Sequence, residues 1–185
     1  FRGSPETVGA DNLAPHGMED WTDIVPRSRQ PMTRREYAEY VGDTAWDGKV
    51  HTIAVHNYGD AWDSDSVVGA ATYHTNPKPD GQGWPIYSYK WTIAKDGLII
   101  RAYGDNECGY HVAGRNHELE GWCFTGNLSL HDPTQAQIES FNWLYRHEGK
   151  GRPARGHYAL ALPQYPTSCP GQRWLQWKSQ LKGVS

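Results

Sequence analysis

The sequence lacks the features of a membrane protein or of a nucleic-acid-binding protein. It has no run of about 18 apolar residues, the length that a membrane-spanning helix requires. Its formal net charge is −3, so the overall charge gives no reason to expect nucleic acid as a partner. No basic segment followed by an apolar one comes after Phe1, so we expect no secretory signal segment in this chain.

Cysteine is scarce, and its pattern disfavours several classes of protein. Cys108, Cys123 and Cys169 are odd in number and widely spaced, so they do not form a disulfide framework, and we expect Cys108 and Cys123 to be unpaired thiols. A structural zinc domain would need four ligands with close pairs such as Cys-x-x-Cys, and none is present. The chain also lacks the Gly-x-Ser-x-Gly elbow of many serine hydrolases.

The composition is that of one globular domain with an unusual aromatic content. A chain of 185 residues, 37% hydrophobic and 21% charged, can bury a single sizeable core, and we expect a monomer. Nine Trp and eleven Tyr accompany only three Phe. Trp and Tyr combine a flat apolar face with a hydrogen-bonding edge, which suits contacts with sugars and peptides, although core packing is the alternative for each of them.

The pattern along the chain predicts an α/β fold in a single domain. Residues 1–32 are rich in Gly, Pro and polar residues and predict an extended N-terminal arm; residues 33–185 form the domain. Thr33 and Asp132 are expected to cap helices, and in the strand 88–94 alternation places Tyr89, Trp91 and Ile93 on one face. The predicted segments are strands at 50–57, 88–94, 98–103 and 121–125, and helices at 34–42, 63–74, from 133 and from 170. This order predicts a central mixed sheet flanked by helices.

Three residues at strand and loop ends have the chemistry of zinc ligands. His56 ends a predicted strand, His157 ends a short extended segment, and Cys169 follows in a loop before Pro170. Two imidazoles and a thiolate match a catalytic site, which keeps three protein ligands and one open position. Spacing alone leaves six other histidines as alternatives: His51, His74, His111, His117, His131 and His147.

Four sequence blocks occur in an order that is more specific than any of them alone. They are HTIAVHN, SYKWTIAKDGLIIRAY, GYHVAGRNHELEGWCFTGN and RGHYALALPQYPTSCPG. With these blocks, the stretch from Val50 to Leu181 resembles the zinc N-acetylmuramoyl-L-alanine amidase family, which includes amidase-type phage lysozymes and peptidoglycan recognition proteins. The resemblance implies that family's fold and zinc-dependent hydrolysis of the amide between N-acetylmuramic acid and L-alanine of peptidoglycan, at the bacterial cell wall.

The resemblance also implies roles for individual residues. His56, His157 and Cys169 would hold one zinc ion, which activates water and polarises the amide carbonyl. Tyr89 and Thr167 fall on catalytic positions, where either hydroxyl would donate a hydrogen bond to the oxyanion or position the water. His111 and Asn116 match residues that border the substrate groove. The proton for the leaving amine would come from water or from Tyr89, and both remain open.

The sequence departs from the family pattern at several positions. Cys123 stands where a related branch keeps a catalytic glutamate and where phage lysozymes tend to have Cys, which makes the chain endolysin-like. Tyr158 replaces the usual Arg or His after the zinc His. The insert Ala61–Trp84 is either a groove wall or a packed helix. The alternative function is a non-catalytic peptidoglycan-binding module, but members of that kind often lack the zinc Cys, and Cys169 is present.

Overall fold

A computed structural model describes residues 13–59 and 63–184, and a six-stranded mixed sheet organises them. The strands are β1 Met18–Asp20, β2 Thr52–Asn57, β3 Trp91–Ile93, β4 Ile99–Arg101, β5 Leu119–Phe124 and β6 Ala154–Gly156. Their order across the sheet is β1-β4-β3-β5-β2-β6, and only the β3–β4 pair is antiparallel. The α/β class with a central mixed sheet is therefore confirmed.

Four helices accompany the sheet within the described residues. They are α1 Arg34–Tyr40, α2 Val67–Thr75, α3 Gln135–Glu148 and α4 Trp174–Trp177, with 3-10 turns at His157–Ala159 and Lys178–Gln180. None of these helices has the length and apolar character needed to cross a bilayer. Thr33 caps α1 as predicted: its hydroxyl accepts from the Glu36 backbone, and the Glu36 carboxylate accepts from the Thr33 N–H.

The larger core lies between one face of the sheet and α3 with α4. The apolar face of α3 points into it, as the sequence predicts, because Ile138, Phe141 and Leu144 recur at helical spacing. These side chains pack against the sheet residues Ile53, Val55, Trp91, Ile93, Ile99, Trp122 and Phe124 and against Trp174 and Trp177. This layer covers one face of the sheet with a hydrophobic core.

A second, smaller core covers the opposite face and brings α2 close to the sheet. It contains Val67 and Ala70 of α2, Ile100 of β4, and the buried rings of Tyr87 and Tyr103. A third cluster of Ala54, Val112, Leu119 and Leu160 continues along the same face. Alternate residues of β2 therefore divide between the two sides, Val55 facing α3 and His56 facing the loops.

Some predicted boundaries are wrong, for local physical reasons. Helix α3 is capped by Thr134, whose hydroxyl accepts from the Gln137 backbone while the Gln137 side chain accepts from the Thr134 N–H. With this reciprocal pair, Thr134 takes the N-cap position that was predicted for Asp132. The Asp132 carboxylate accepts a hydrogen bond from Arg173 instead. Helix α2 begins only after Ser66, which caps it. Helix α4 has four residues, far fewer than the helix predicted from residue 170.

The N-terminal arm was predicted without secondary structure, yet its described part supplies a strand. Met18–Asp20 pairs in parallel with β4 at the edge of the sheet, although the short exposed segment has no apolar alternation that would have predicted it. Residues 1–12 of the predicted arm, and residues 60–62, which include the first two residues of the insert, lie outside the described residues.

Candidate metal centre and groove

The topology brings two histidines to the same edge of the sheet. Strands β2 and β6 are parallel neighbours, and Val55 of β2 pairs with Gly156 of β6. His56, still within β2, and His157, directly after β6, each follow one of these two paired residues, so they lie at the same level of the sheet. Their ring centroids lie 4.6 Å apart. Parallel pairing thus converts a separation of about a hundred residues in sequence into direct proximity.

A loop brings the third donor to the same place. The backbone N–H of Tyr158 donates to the carbonyl of Cys169 at 2.8 Å, which ties the Cys169 loop to the turn after β6. The Thr167 hydroxyl accepts from the Cys169 N–H at 3.1 Å and fixes the conformation of that loop. As a result, the donor atoms of His56, His157 and Cys169 all lie within 4.8 Å of one another.

The donor set fits a tetrahedral zinc ion. Zinc bonds of about 2.0–2.1 Å to nitrogen and about 2.3 Å to sulfur place two such donors about 3.6 Å apart at a tetrahedral angle. The Sγ atom of Cys169 lies 3.6 Å from Nδ1 of His56. Both histidines are in the neutral form that binds metal: burial, then the neighbouring His157 and His111, lower the pKa of His56 well below its ordinary value. Burial lowers the pKa of His157 to about 4.

A groove of about 470 Å³ opens beside the three donors. Its lining is largely aromatic and includes His157 from the cluster. The lining residues are Tyr37, Trp84, Tyr110, His111, Ala113, Asn116, His157, Tyr165, Pro166 and Thr167. A larger cavity of about 650 Å³ lies along α3 near Leu13 and Lys182, but none of the three donors lines it. The chemistry therefore points to the smaller groove.

Comparison with known proteins identifies the family. Residues 46–172, more than two thirds of the 185 residues, match the profile of the N-acetylmuramoyl-L-alanine amidase family. The chain belongs to this amidase family. A comparison with curated proteins finds no significant match.

Solved structures of similar fold include amidases and recognition proteins. The endolysin amidase LysCS of Clostridium intestinale matches with a TM-score of 0.63 and 19% identity, over 89% of this chain and 96% of that one. Drosophila PGRP-LB matches with a TM-score of 0.65 and 16% identity, over 91% and 95%. Human PGRP-IBETAC, in complex with glycosamyl muramyl pentapeptide, matches with a TM-score of 0.67 and 14% identity, over 92% and 99%. At these identities the likenesses show the fold alone.

Tyr89 lies beside the cluster, but on the opposite face from the one that alternation predicts. Strand β3 begins only at Trp91, whose side chain joins Ile93 in the core under α3. The irregular backbone before Trp91 turns Tyr89 to the other side, where its ring centroid is 4.9 Å from that of His56. Burial, followed by the nearby Cys123 and Cys169, raises the pKa of Tyr89 well above its ordinary value.

Of the two expected groove residues, Asn116 serves the fold of its own loop. Its Oδ1 accepts from the backbone N–H groups of His111 and Val112 at 2.8 and 2.7 Å. Its Nδ2 donates to the Tyr37 hydroxyl at 2.8 Å. The buried amide therefore has partners at both ends, and it holds the segment that carries His111.

Two of the departures from the family pattern, Cys123 and Tyr158, occupy different environments. Cys123 is buried and pairs in register with His56, so it lies under the cluster, and the Tyr89 side chain is hydrogen-bonded to it. Tyr158 is 44% exposed, so its side chain faces solvent. All three cysteines lie in the described residues and none forms a disulfide, which confirms the prediction for Cys108 and Cys123.

Several groove aromatics were not among the predicted site residues. Trp84, from the insert, stacks on Tyr110 with centroids 6.2 Å apart, and Tyr37 meets Tyr110 edge to face. The insert thus contributes a groove wall through Trp84 as well as a packed helix through α2. Tyr110 adjoins His111 in sequence, which is a signal for it. The sequence indicates only an ordinary core position of α1 for Tyr37. No sequence feature marks Tyr165 as a groove residue.

Proposed function

We propose that this chain hydrolyses the amide bond between N-acetylmuramic acid and L-alanine of peptidoglycan, using one zinc ion held by His56, His157 and Cys169. The observation that carries the proposal is the convergence of these three donors within 4.8 Å beside a groove, in a chain of the amidase family. Within the described residues, the cluster has three donors, the number typical of catalytic sites; structural zinc sites have four.

The chain's own residues prepare the site for metal and substrate. Zinc, when bound, lowers the pKa of a water molecule to about 7 and acts as a Lewis acid on a carbonyl oxygen. The neutral imidazoles of His56 and His157 offer lone pairs, and the Cys169 thiol gives up its proton to become a ligand. His157 lines the groove, so an amide that enters the groove meets the cluster directly.

Tyr89 supplies a hydrogen-bond donor next to the donors of the cluster. A tyrosine hydroxyl is protonated at neutral pH, and burial, which raises the pKa of Tyr89 above its ordinary value of 10, strengthens that preference. A protonated phenol in a site shielded from water stabilises negative charge that develops on a carbonyl oxygen. Since the ring lies against His56, we assign Tyr89 this role, in which its hydroxyl exchanges the hydrogen bond with Cys123 for one with the carbonyl oxygen.

Thr167 supplies a second hydroxyl at the groove. Its oxygen accepts from the Cys169 N–H, which leaves the hydroxyl proton available to donate. Thr167 also lines the groove, so this proton can reach a bound carbonyl or water. We therefore assign Thr167 a supporting role in orienting the reacting groups.

The aromatic lining suits peptidoglycan as the substrate. Stacked Trp84 and Tyr110 present flat apolar surface to a sugar ring, and Tyr37 and Tyr165 add hydroxyl groups that can bond to its substituents. The likeness in fold to human PGRP-IBETAC in complex with glycosamyl muramyl pentapeptide supports a ligand of this kind. We propose that the chain acts at the bacterial cell wall as an endolysin-like lytic amidase.

The second candidate is a module that binds peptidoglycan without cutting it. Recognition proteins are among the structures with this fold, so the fold alone does not separate the two functions. The complete donor set favours the enzyme, because binding alone would need neither the thiol of Cys169 nor its approach to His56.

Metal analysis and wall digestion separate the two candidates. The purified protein should contain one zinc per chain and should release new amino groups from purified cell walls, and a chelator should abolish the release. Cys108→Ala is a matched control, since it removes a buried thiol outside the cluster and should retain zinc and activity. Binding to walls without any amine release by the zinc-loaded protein would establish the recognition module instead.

A further inference from the structure

A buried hydrogen bond joins His56 of the candidate metal cluster to a histidine outside that cluster. Nε2 of His56 lies 3.0 Å from Nδ1 of His111, and the two rings meet nearly at right angles, at 86°. Both side chains are withdrawn from solvent, with exposures of 1% for His56 and 8% for His111. The other nitrogen of His56, Nδ1, faces the sulfur of Cys169.

The position of the protons follows from this arrangement. If Nδ1 of His56 offers its lone pair to a metal, the proton of the neutral ring is on Nε2, which then donates to His111. A second hydrogen bond joins the His111 ring to the backbone of Leu119. If the ring donates its only proton there, Nδ1 of His111 is left as an acceptor. The donor that His56 presents at Nε2 therefore meets the acceptor that His111 presents at Nδ1.

We propose that His111 is a positioning residue for the proposed metal centre: its Nδ1 accepts a hydrogen bond from the Nε2–H group of His56 and thereby holds Nδ1 of His56 toward the metal. The proposal rests on the proposed zinc site. It assigns His111 a role different from contact with substrate, because both nitrogens of its ring are engaged within the protein. Partners of this kind fix the tautomer and orientation of a ligating imidazole.

The surrounding residues hold His111 in this place. Asn116 binds the backbone N–H of His111 and so fixes the start of its loop. On the other side the ring lies over Gly121 of β5, where an added Cβ would come 3.0 Å from Cγ of His111. A glycine within a strand often marks a close approach of another group, and here that group is the imidazole.

The test compares zinc affinity among variants of the full chain. Competition with a chromophoric chelator should show that His111→Leu binds zinc about 10- to 100-fold more weakly than the parent, the usual cost of losing such a partner. His111→Asn should recover most of the affinity, because its Oδ1 can take the place of Nδ1 as an acceptor. Gly121→Ala should give an intermediate loss, since it displaces the ring without removing it.

A spectroscopic measurement separates positioning from a general effect on the fold. In ¹⁵N-labelled, zinc-loaded parent, the Nε2 proton of His56 should be protected from exchange with water, and His111→Leu should lose that protection at an unchanged melting temperature of the metal-free protein. If His111→Leu does not fold, the same two measurements on Gly121→Ala decide the matter.

The outcomes distinguish this proposal from the proposed function. If the parent binds no zinc, both are overturned. If the parent binds zinc and His111→Leu binds it as tightly, with a raised KM for cell walls, only the positioning role is overturned and His111 contacts substrate. Weaker zinc binding with recovery in His111→Asn supports the positioning role.

Discussion

The two ends of strand β5 bury polar side chains in opposite ways. At its amino end, Glu120 accepts from Lys90 at 2.9 Å and from Arg152 at 3.2 Å, so buried charges of opposite sign compensate each other. At its carboxyl end, Cys123 lies beside His56 and the other donors, where burial keeps the imidazoles neutral. The same sheet therefore carries an ion-pair network at one end of β5 and a set of uncharged candidate metal ligands at the other.

The comparison shows that buried polar side chains can form ion pairs within the fold or can offer uncharged donor atoms to a ligand. Each charge in the Lys90–Glu120–Arg152 network has a partner of opposite sign, so removing one partner would leave a buried charge uncompensated. The imidazoles and the thiol at the other end are uncharged, so their burial requires no ion pair. Their nitrogen and sulfur lone pairs are donors that suit a divalent cation such as zinc. Changes at the two ends should accordingly affect different properties.

The largest effect on activity should come from the sulfur donor at the carboxyl end. Cys169→Ser should lose bound zinc and reduce amide hydrolysis to the background rate, because a hydroxyl keeps its proton where a thiol gives it up to the metal. The fold and part of the wall binding should remain. Zinc content and amine release measure the loss, and the variant should melt like the metal-free parent. Parental cleavage without zinc would contradict zinc hydrolysis.

At the amino end, Glu120→Gln should instead reduce stability. Removing one partner of a buried pair leaves Lys90 and Arg152 undercompensated and should cost about 3 kcal/mol, at the lower end for such changes because Lys90 keeps Asp105. Urea unfolding at pH 7 measures the cost. Zinc affinity should not change, so a loss of zinc comparable to that of Cys169→Ser would show that the two ends are coupled.

The contribution of Glu120 should also depend on pH. Burial raises the pKa of its carboxyl, but Lys90, Arg152 and the hydrogen bonds outweigh burial and lower the pKa to about 2, against an ordinary value of 4.5. A lowered pKa stabilises the fold above pH 4.5, and this stabilisation is lost as the pH falls toward 2. The difference in unfolding free energy between parent and Glu120→Gln should therefore shrink over that interval.

Tyr89→Phe should reduce turnover without reducing zinc content. Phe keeps the ring that packs beside His56 and removes only the hydroxyl, so turnover should fall by roughly 10²-fold, the low end for loss of one oxyanion donor. Parallel measurements of rate, zinc content and melting temperature test this. If the zinc-loaded variant cleaves walls at the parental rate, Tyr89 is a packing residue and not a catalytic one.

The smallest effect on stability should come from a change at Asp105, the exposed partner of the buried Lys90. Lys90 pairs with Asp105, which is 67% exposed, and with Glu120, which is 5% exposed. Asp105→Asn should cost less than about 1 kcal/mol, because water and salt screen an exposed carboxylate. Urea unfolding beside Glu120→Gln makes the comparison direct. Equal costs for the two variants would mean that burial does not decide the strength of these pairs.

Sequence reasoning succeeded where a feature depends on residues close together in the chain. The structure confirms Thr33 as the cap of α1. The apolar spacing of Ile138, Phe141 and Leu144 is also a local pattern, and these side chains are buried in the core. It failed where two local signals competed or where a pattern was extended too far. Thr134 displaced Asp132 as the cap of α3, and alternation was extended to Tyr89 before the strand had begun.

The sequence by itself determined the kinds of donor atoms and the order of the motifs that carry them. Through the resemblance of those motifs to the amidase family, it proposed His56, His157 and Cys169 as the candidate ligands. Only the tertiary structure decided that parallel pairing of β2 and β6 brings them together, that His111 turns its Nδ1 to His56, and that Lys90 meets Glu120. Hydrogen bonds and ion pairs depend on distances in space, and residues far apart in a chain acquire those distances only when the sheet forms.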